Sequence, residues 1–527
     1  MEKKKMNGVL HCRWLSLTIV SYCFVALFLI QPDNERIKDA RALSSSASLP
    51  VKAVNVGGWL VVEGWMTPWL FDNITNKDML DGTQLKLRSV KQNMYVCAEG
   101  GGDNILVANR TGAAWWETFK LWRVNETTFY LRVAFGQFVR ISNKSSELVA
   151  NATNPGKSEE FVFIRSSNNR VRIRAPNGLF VQARSADAVT ADYGEEGTNW
   201  GDDDPSVFEM DLNWRVEIGE YQVTNGYGPN ATSVLRNHWN TFITEDDFRT
   251  MAEYNLTAVR IPVGWWTTRD PEPPKPFVNG SLQIVDNAFN WAEKYNLRVI
   301  LDLHATNGST NGWDLSGTRD GTIDWGKTDE NINQSVGAID FLASRYTQRS
   351  CLLAIELLNE ALAPDISIDS LKKYYQAGYD TVRKYSSEVY VIMSSRLRAD
   401  QRELLQYIGS FNKSVIDVHY YNSLDGRFSG LSVQQNLGFI NNERSRDLSS
   451  VTVANGPLVL VGEWSGEFWH SGGEASKEEY QRFAQAELNV FGRATFGWAY
   501  WSWKHEINHW SLKWMIANGY ISLNKTS

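Results

Sequence analysis

Hydrophobic positions along this chain follow two rhythms. In the second half they come as short unbroken runs, at 258–263, 298–304, 352–358, 389–394, 415–421, 458–463 and 496–501, separated by amphipathic stretches. A run of that length reads as a strand buried on both faces, and such strands alternating with helical patterns read as a parallel sheet with helical crossovers. With a further run at 53–58 the strands number eight. The predicted fold class is therefore α/β, a (β/α)8 barrel. Over 242–254 the period is helical, and Thr244 stands as N-cap before Glu245, Asp246 and Asp247.

The second rhythm lies between the first run and the rest. From about Asp81 the residues alternate in short strands, and the pattern repeats. Leu85-Lys86-Leu87-Arg88 recurs as Phe129-Tyr130-Leu131-Arg132 and as Val171-Arg172-Ile173-Arg174. Tyr95-Val96 recurs as Phe138-Val139 and Phe180-Val181, and Leu106-Val107-Ala108 as Leu148-Val149-Ala150 and Val189-Thr190-Ala191. Each copy closes on a spaced pair, Phe119/Leu121, Phe161/Phe163 and Phe208/Met210, which gives three copies of four strands. Three copies are too few for a propeller. The pattern resembles a fascin-like β-trefoil over 80–213, inserted after the first barrel strand. An acidic stretch at 194–204 breaks the third period, and the residues after Trp214 read as a linking segment. The expected organisation is a signal at 1–42, first strand and loop at 43–79, insert at 80–213 and the remaining barrel at 214–527.

The strand tips carry the candidate chemistry. In a (β/α)8 barrel the C-terminal strand ends form the mouth of the site, so polar residues there read as chemistry rather than stability. Asn359-Glu360 ends one run and Glu463 another, 103 residues later, close to three βα units of roughly 30 to 35 residues each. Two carboxylates would then face each other, as glycoside cleavage requires. Either alone could be a solvated strand end. Arg260, His304, His419, Tyr421 and Trp501 stand at other strand ends and make that reading of the pair untenable.

Composition sharpens this. With 22 Trp and 20 Tyr against 14 Pro and 9 Met, the chain is rich in flat rings of the kind that stack on sugar faces, although most are expected in the core. Trp115 and Trp116 could serve as sugar platforms in the insert, but they are expected as core or interface residues. Lys3-Lys4-Lys5, the apolar stretch 14–30 and Ala40-Arg41-Ala42 have the layout of a secretory signal, with an uncleaved anchor as the alternative. Either way the remainder is expected on the secretory route, outside the cell or in the cell wall. Residues 1–42 carry seven Lys/Arg and four Asp/Glu, so without them the net charge moves from −7 to −10, which excludes nucleic acid and anionic membranes as natural partners. Beyond the signal only Cys97 and Cys351 remain, and no disulfide framework is implied. Sequons at Asn73, Asn109, Asn125, Asn143, Asn151, Asn230, Asn255, Asn279, Asn307, Asn333, Asn412 and Asn524 suit the same route.

Five motifs belong together: 55–63 (Asn-Val-Gly-Gly-Trp-Leu-Val-Val-Glu), 260–266 (Arg-Ile-Pro-Val-Gly-Trp-Trp), 356–360 (Glu-Leu-Leu-Asn-Glu), 461–464 (Val-Gly-Glu-Trp) and 501–504 (Trp-Ser-Trp-Lys). As a set they resemble glycoside hydrolase family 5, in its exo-β-1,3-glucanase branch and especially the plant members that carry a fascin-like insert. The resemblance implies a retaining β-glucosidic hydrolase with Glu463 as nucleophile and Glu360 as acid/base. It implies further that Asn359 holds the sugar 2-hydroxyl, that Arg260 and Tyr421 position the nucleophile, and that Arg260 keeps it charged. His304 and His419 would line the reacting subsite, Trp501 would be its stacking floor, and Glu63 would bind hydroxyls at the non-reducing end. Glu63 is followed by Gly64-Trp65, where fungal relatives read Pro and another aromatic, which bears on substrate preference. The implied partner is a β-glucan or oligosaccharide, with a carbohydrate ligand of the insert as a second, and the chain is expected to act as a monomer without metal or organic cofactor. Two other classes stay open. His505-Glu506-Ile507-Asn508-His509 matches the zinc-peptidase pattern, although no third ligand follows it. A lectin built on an inactive barrel is the other, and the retained pair of glutamates argues against it.

Overall fold

Eight parallel strands close on one another, and the chain leaves that barrel once, for the twelve strands of the insert. The computed structural model describes residues 49–166, 169–194, 200–214, 218–473 and 475–523. The expected signal at 1–42, part of the acidic stretch and the sequon at Asn524 lie outside the described residues. No helix among those described is long and apolar enough to cross a membrane.

Strand β1 (Val51–Asn55) opens the barrel. The first copy of the repeat follows as β2 (Gln84–Ser89), β3 (Met94–Ala98), β4 (Leu106–Arg110) and β5 (Phe119–Arg123). The second is β6 (Thr128–Arg132), β7 (Phe138–Ile141), β8 (Leu148–Ala152) and β9 (Phe161–Arg165). The third is β10 (Arg170–Arg174), β11 (Phe180–Gln182), β12 (Thr190–Tyr193) and β13 (Phe208–Trp214). The barrel then resumes with β14 (Ala258–Gly264), β15 (Arg298–Ala305), β16 (Leu352–Glu356), β17 (Tyr390–Ser394), β18 (Ser414–Asn422), β19 (Leu458–Phe468) and β20 (Gly497–Tyr500). It closes in the order β1-β14-β15-β16-β17-β18-β19-β20, with β1 paired to both β14 and β20.

Within the insert, β2, β5, β6, β9, β10 and β13 each pair with the next, and β13 returns to β2. Strands β3/β4, β7/β8 and β11/β12 form three hairpins. Side chains at equivalent repeat positions, Leu85, Phe129 and Val171 among them, share one buried cluster, so the sequence repeat exists because three copies fill one core. The acidic stretch is held by the third copy's arginines: Arg170 pairs with Asp202, and Arg172 Nη2 lies 2.5 Å from Asp204 Oδ2. Cys97 and Cys351 are buried free thiols.

Two expectations are corrected. The segment after Trp214, read as a linker, contains the helices Glu220–Tyr227 and Ala231–Thr241; Gly226, Gly228 and Pro229 interrupt the period that would have marked them. Trp115 and Trp116, expected in core or interface, are 64% and 40% exposed. Thr244 does precede its helix, Glu245–Glu253, and its backbone N–H donates to Asp247 Oδ2 at 2.9 Å.

The insert is locked to the loop that follows β15. Asp320, on that loop, accepts Arg132 Nη1 at 2.6 Å and Trp122 Nε1 at 2.7 Å, while Lys120 Nζ donates to its carbonyl at 2.9 Å. The neighbouring Arg319 donates to Asp81 at 2.7 Å and lies 3.8 Å from the Trp122 ring. Burial alone would raise the Asp320 pKa, but Lys120 and Arg132 hold it at about 2. A depressed carboxylate stabilises the fold above its unfolded pKa, near 3.8, and that contribution is lost as the pH falls toward 2. The side chain is 3% exposed, so solvent screening is slight. Asp320→Asn should cost roughly 2 kcal/mol at neutral pH, with the deficit closing below pH ~4. Denaturant unfolding of both proteins across that range measures it; a cost independent of pH would contradict the assignment.

Candidate active site

Along each barrel strand alternate residues face the interior, and the identity of those residues changes from bottom to top. Ala53, Ala258, Ile300, Ala354, Ile392, Val415 and Leu460 form an apolar plug. Two residues further along five of these strands stand Asn55, Arg260, Asp302, Glu356 and Asp417, all fully buried. The apolar layer thus gives way to one cation and three carboxylates.

Arg260 organises this layer. Strand register sets Asn55 beside Arg260, and Asn55 Oδ1 accepts Nη1 at 3.0 Å. Glu356 takes the guanidinium in a fork, at 2.7 Å from Nε and 2.9 Å from Nη2. Nη2 also donates to Asn359 Oδ1 at 2.8 Å and lies 3.1 Å from Asp302 Oδ2. Nη1 reaches Glu463 Oε1 at 3.1 Å. Burial would strip a proton from Arg260, but Asp302, Glu356 and Glu463 outweigh it and keep the guanidinium charged.

Above Arg260 the two expected glutamates converge on one imidazole. Register sets His419 opposite Glu463 across β18 and β19. His419 Nδ1 lies 2.8 Å from Glu360 Oε1 and 3.4 Å from Glu463 Oε2, and its Nε2 lies 3.0 Å from Asp417 Oδ2. Oxygens of Glu360 and Glu463 lie within 4.8 Å of each other. Burial disfavours charge on His419, but Glu463, Asp417 and Glu360 raise its pKa well above the usual value, so the ring is an imidazolium. Glu463 Oε2 also accepts the Tyr421 hydroxyl at 2.8 Å. Asp417 is fixed from below by the Gly462 N–H at 2.7 Å. A Cβ on Gly462 would fall 2.3 Å from that carboxylate, which accounts for the glycine before Glu463.

The charge of Glu463 is set by several neighbours besides Arg260. Arg260 does pull on Glu463, as does His419, yet burial and the proximity of Glu360 leave the Glu463 pKa raised. Glu360 itself sits at φ +42°, a left-handed backbone that costs a non-glycine residue of order 1–3 kcal/mol and recurs at functional positions.

The rest of the mouth presents polar atoms without a partner. Glu63 Oε2 accepts Trp65 Nε1 at 3.1 Å while its Oε1 has none, and burial together with Asp314 keeps the carboxyl neutral well above its usual range. His304 Nδ1 is 2.6 Å from Asp302 Oδ2, leaving Nε2 unpartnered, and Asn359 Nδ2 is unpartnered too. Buried polar groups cost free energy unless satisfied, so these three atoms are available to a ligand. Trp501 stacks on His304 at 5.5 Å and 8° between planes. Its indole approaches the backbone so closely that a Cβ on Gly57 would fall 2.5 Å from the ring. All nine expected site residues thus lie in the C-terminal half of one barrel.

Asp302, Glu356 and Asp417 were not anticipated, although a charged residue inside an otherwise apolar strand run is a signal for a buried polar layer. Two acid–histidine triads, Glu356/Asp417/His419 and Glu360/His419/Glu463, have spacing that would admit a cation. In both groups the side chains are already bonded to one another and to Arg260: His419 lies between Glu360 and Asp417, and Arg260 takes Glu356 and Glu463. His505 lies outside any helix and His509 lies in the 3-10 turn Asn508–Trp510, so the two histidines do not share a helix face. His505 packs 4.3 Å from the Trp65 ring and His509 3.7 Å from that of Tyr480.

Replacing Arg260 by methionine leaves Glu356, Asp302 and Glu463 facing one another without a cation. The expected cost is ~3–5 kcal/mol in chemical unfolding, with Arg260→Lys intermediate because it loses the fork. A loss below ~1 kcal/mol would mean that the carboxylates carry their own protons and need no arginine.

Residues 222–507 match the model of the cellulase family, glycosyl hydrolase family 5, and residues 76–212 match a domain of unknown function, DUF7910. The chain is 31% identical over 355 residues to a probable glucan 1,3-beta-glucosidase A of Aspergillus fumigatus, covering 60% of this chain and 82% of that one. The corresponding protein of Emericella nidulans is 33% identical over 355 residues, covering 60% and 85%. The rutinosidase of Aspergillus niger shares the fold, with a TM-score of 0.51 at 18% identity over 59% of this chain and 90% of that one. A family model spanning more than half of the chain, a closed parallel barrel and two glutamates converging at its mouth give one conclusion: the chain is a glycoside hydrolase and belongs to glycosyl hydrolase family 5.

Proposed function

We propose that this protein is a retaining, exo-acting hydrolase of β-1,3-glucan or related β-glucosides, with Glu463 as nucleophile and Glu360 as acid/base. The carrying observation is the approach of the two glutamates, whose oxygens lie within 4.8 Å. Retaining glycosidases hold their carboxyls about 5 to 5.5 Å apart, whereas inverting ones leave about 6.5 to 9.5 Å for a water. The names of the fungal relatives support the substrate class.

Glu463 attacks the anomeric carbon as Glu360 gives a proton to the leaving oxygen. His419 Nδ1, 2.8 Å from Glu360 Oε1, passes its proton to Glu360 as Glu360 protonates the leaving oxygen, and takes one back when Glu360 removes the water's proton. As the glycosyl ester forms, Glu463 loses its charge; water then attacks, Glu360 takes the water's proton, and Glu463 is released. Arg260 and Tyr421 hold the two oxygens of Glu463 so that attack needs no reorganisation. Asn359 Nδ2 offers a donor to the 2-hydroxyl, His304 and His419 flank the reacting sugar, Trp501 supplies an aromatic floor, and Glu63 meets hydroxyls at the non-reducing end.

The insert reads as a fascin-like β-trefoil at 80–213; six strands paired in a ring with three hairpins support this. The secretory route is supported by the eleven sequon asparagines among the described residues, none of which is buried.

Hydrolysis of laminari-oligosaccharides followed by NMR should release β-glucose from the parent and nothing from Glu463→Gln. Release of α-glucose would refute retention, and activity confined to mannan or cellulose would move the substrate. Glu360→Ala should lose on the order of 10² to 10⁴ in rate on poor leaving groups and less on activated aryl glucosides. Because Glu463 ionises late, the acid limb of kcat/KM should lie above the ordinary carboxylate range; a limb within that range would contradict its raised pKa.

A further inference from the structure

The insert and the barrel meet along a cleft that the catalytic centre does not use. It has a volume of about 590 Å³, within the range of ligand sites. One wall comes from the insert, including Trp115, Phe135, Thr118 and Gln84, and the other from Thr322, Asp324 and Lys327 of the loop after β15. Trp115, on the β4–β5 loop, and Phe135, on the β6–β7 turn, are 64% and 58% exposed. Their rings meet edge to face at 5.8 Å, so two separate elements build one aromatic shelf. Trp116 is seated beside it: a Cβ on Gly101 would fall 2.8 Å from its indole nitrogen.

We propose that this seam cleft is a second binding site, for a neutral glycan chain, separate from the site of cleavage. Exposed flat rings flanked by hydroxyl and amide groups suit the apolar faces and equatorial hydroxyls of sugars. Charge argues for a neutral ligand. Of the four cations lining it, Arg132 and Lys120 both reach Asp320, at 2.6 and 2.9 Å, and Lys327 pairs with Asp324 at 2.9 Å, so Lys86 alone of the four has no such partner among the described residues. Position argues for a chain rather than a single sugar. Arg132, Thr322 and Asp324 also line a second cleft, of about 370 Å³, which continues to Trp265 and Thr306 just beyond β14 and β15. Those strands carry Arg260 and His304, so a chain lying in the seam runs beside the mouth. The Asp320 lock holds both walls in place before any ligand arrives.

That the bound chain is also the substrate rests on the proposed function; the binding itself does not. Affinity gel electrophoresis of the full chain in β-1,3-glucan, mannan, xyloglucan and polygalacturonate separates the two. At least one neutral glycan should retard the parent. The retardation should vanish in Trp115→Ala/Phe135→Ala and persist in Trp115→Phe. If β-1,3-glucan is that ligand, the double variant should raise KM on the polymer roughly 10-fold, with kcat and the constants for an aryl glucoside unchanged. Retardation by no neutral glycan, retardation by polygalacturonate alone, or equal retardation of the double variant would overturn the proposal. Failure to hydrolyse any β-glucoside would sink the catalytic reading instead, and leave the gel result to decide this one.

Discussion

Everything at the mouth of this barrel depends on one buried guanidinium. Arg260 is fully buried and touches Asn55, Asp302, Glu356, Asn359 and Glu463. Removing such a charge from water is expensive, and only dense, well-directed hydrogen bonding offsets the loss. The planar fork of arginine meets that demand, and lysine would not. Arg260 pulls on Glu463 together with His419, but burial and the neighbouring Glu360 leave that carboxyl's pKa raised. The same crowding of acids keeps His419 protonated between the two glutamates.

The insert imposes a second constraint. The loop that bears Asp320 also carries Thr310 and Asn311, whose side chains reach the carbonyls of Asn359 and Glu360 at 3.4 and 3.3 Å. Fixing that loop from outside therefore also supports the backbone beneath the two strand-tip residues, one of which is held at positive φ. A chain excursion inserted after the first strand is thus mechanically continuous with the site.

How much was legible in advance differs by residue. The barrel strands announced themselves because burial on both faces demands unbroken apolar runs, and Glu360 and Glu463 stood out because they end such runs. Asp302, Glu356 and Asp417 were harder to see: each is a single acidic residue within a hydrophobic run, and its meaning depends on which way a strand turns its alternate side chains. The helices at 220–227 and 231–241 were obscured by glycine and proline at their junction. Trp115 and Trp116 look like core in a list of aromatics, and only packing shows that the insert's interior is filled without them.

By itself the sequence determined the barrel, the threefold repeat, the place of the excursion and the residues at the strand tips, because each follows from local periodicity or from a motif contiguous in the chain. Tertiary structure alone decided how one arginine is divided among five neighbours, which glutamate shares a proton with His419, and what the insert touches. Those outcomes depend on register, closure and approach between segments hundreds of residues apart, and on burial that changes the strength of every charge involved.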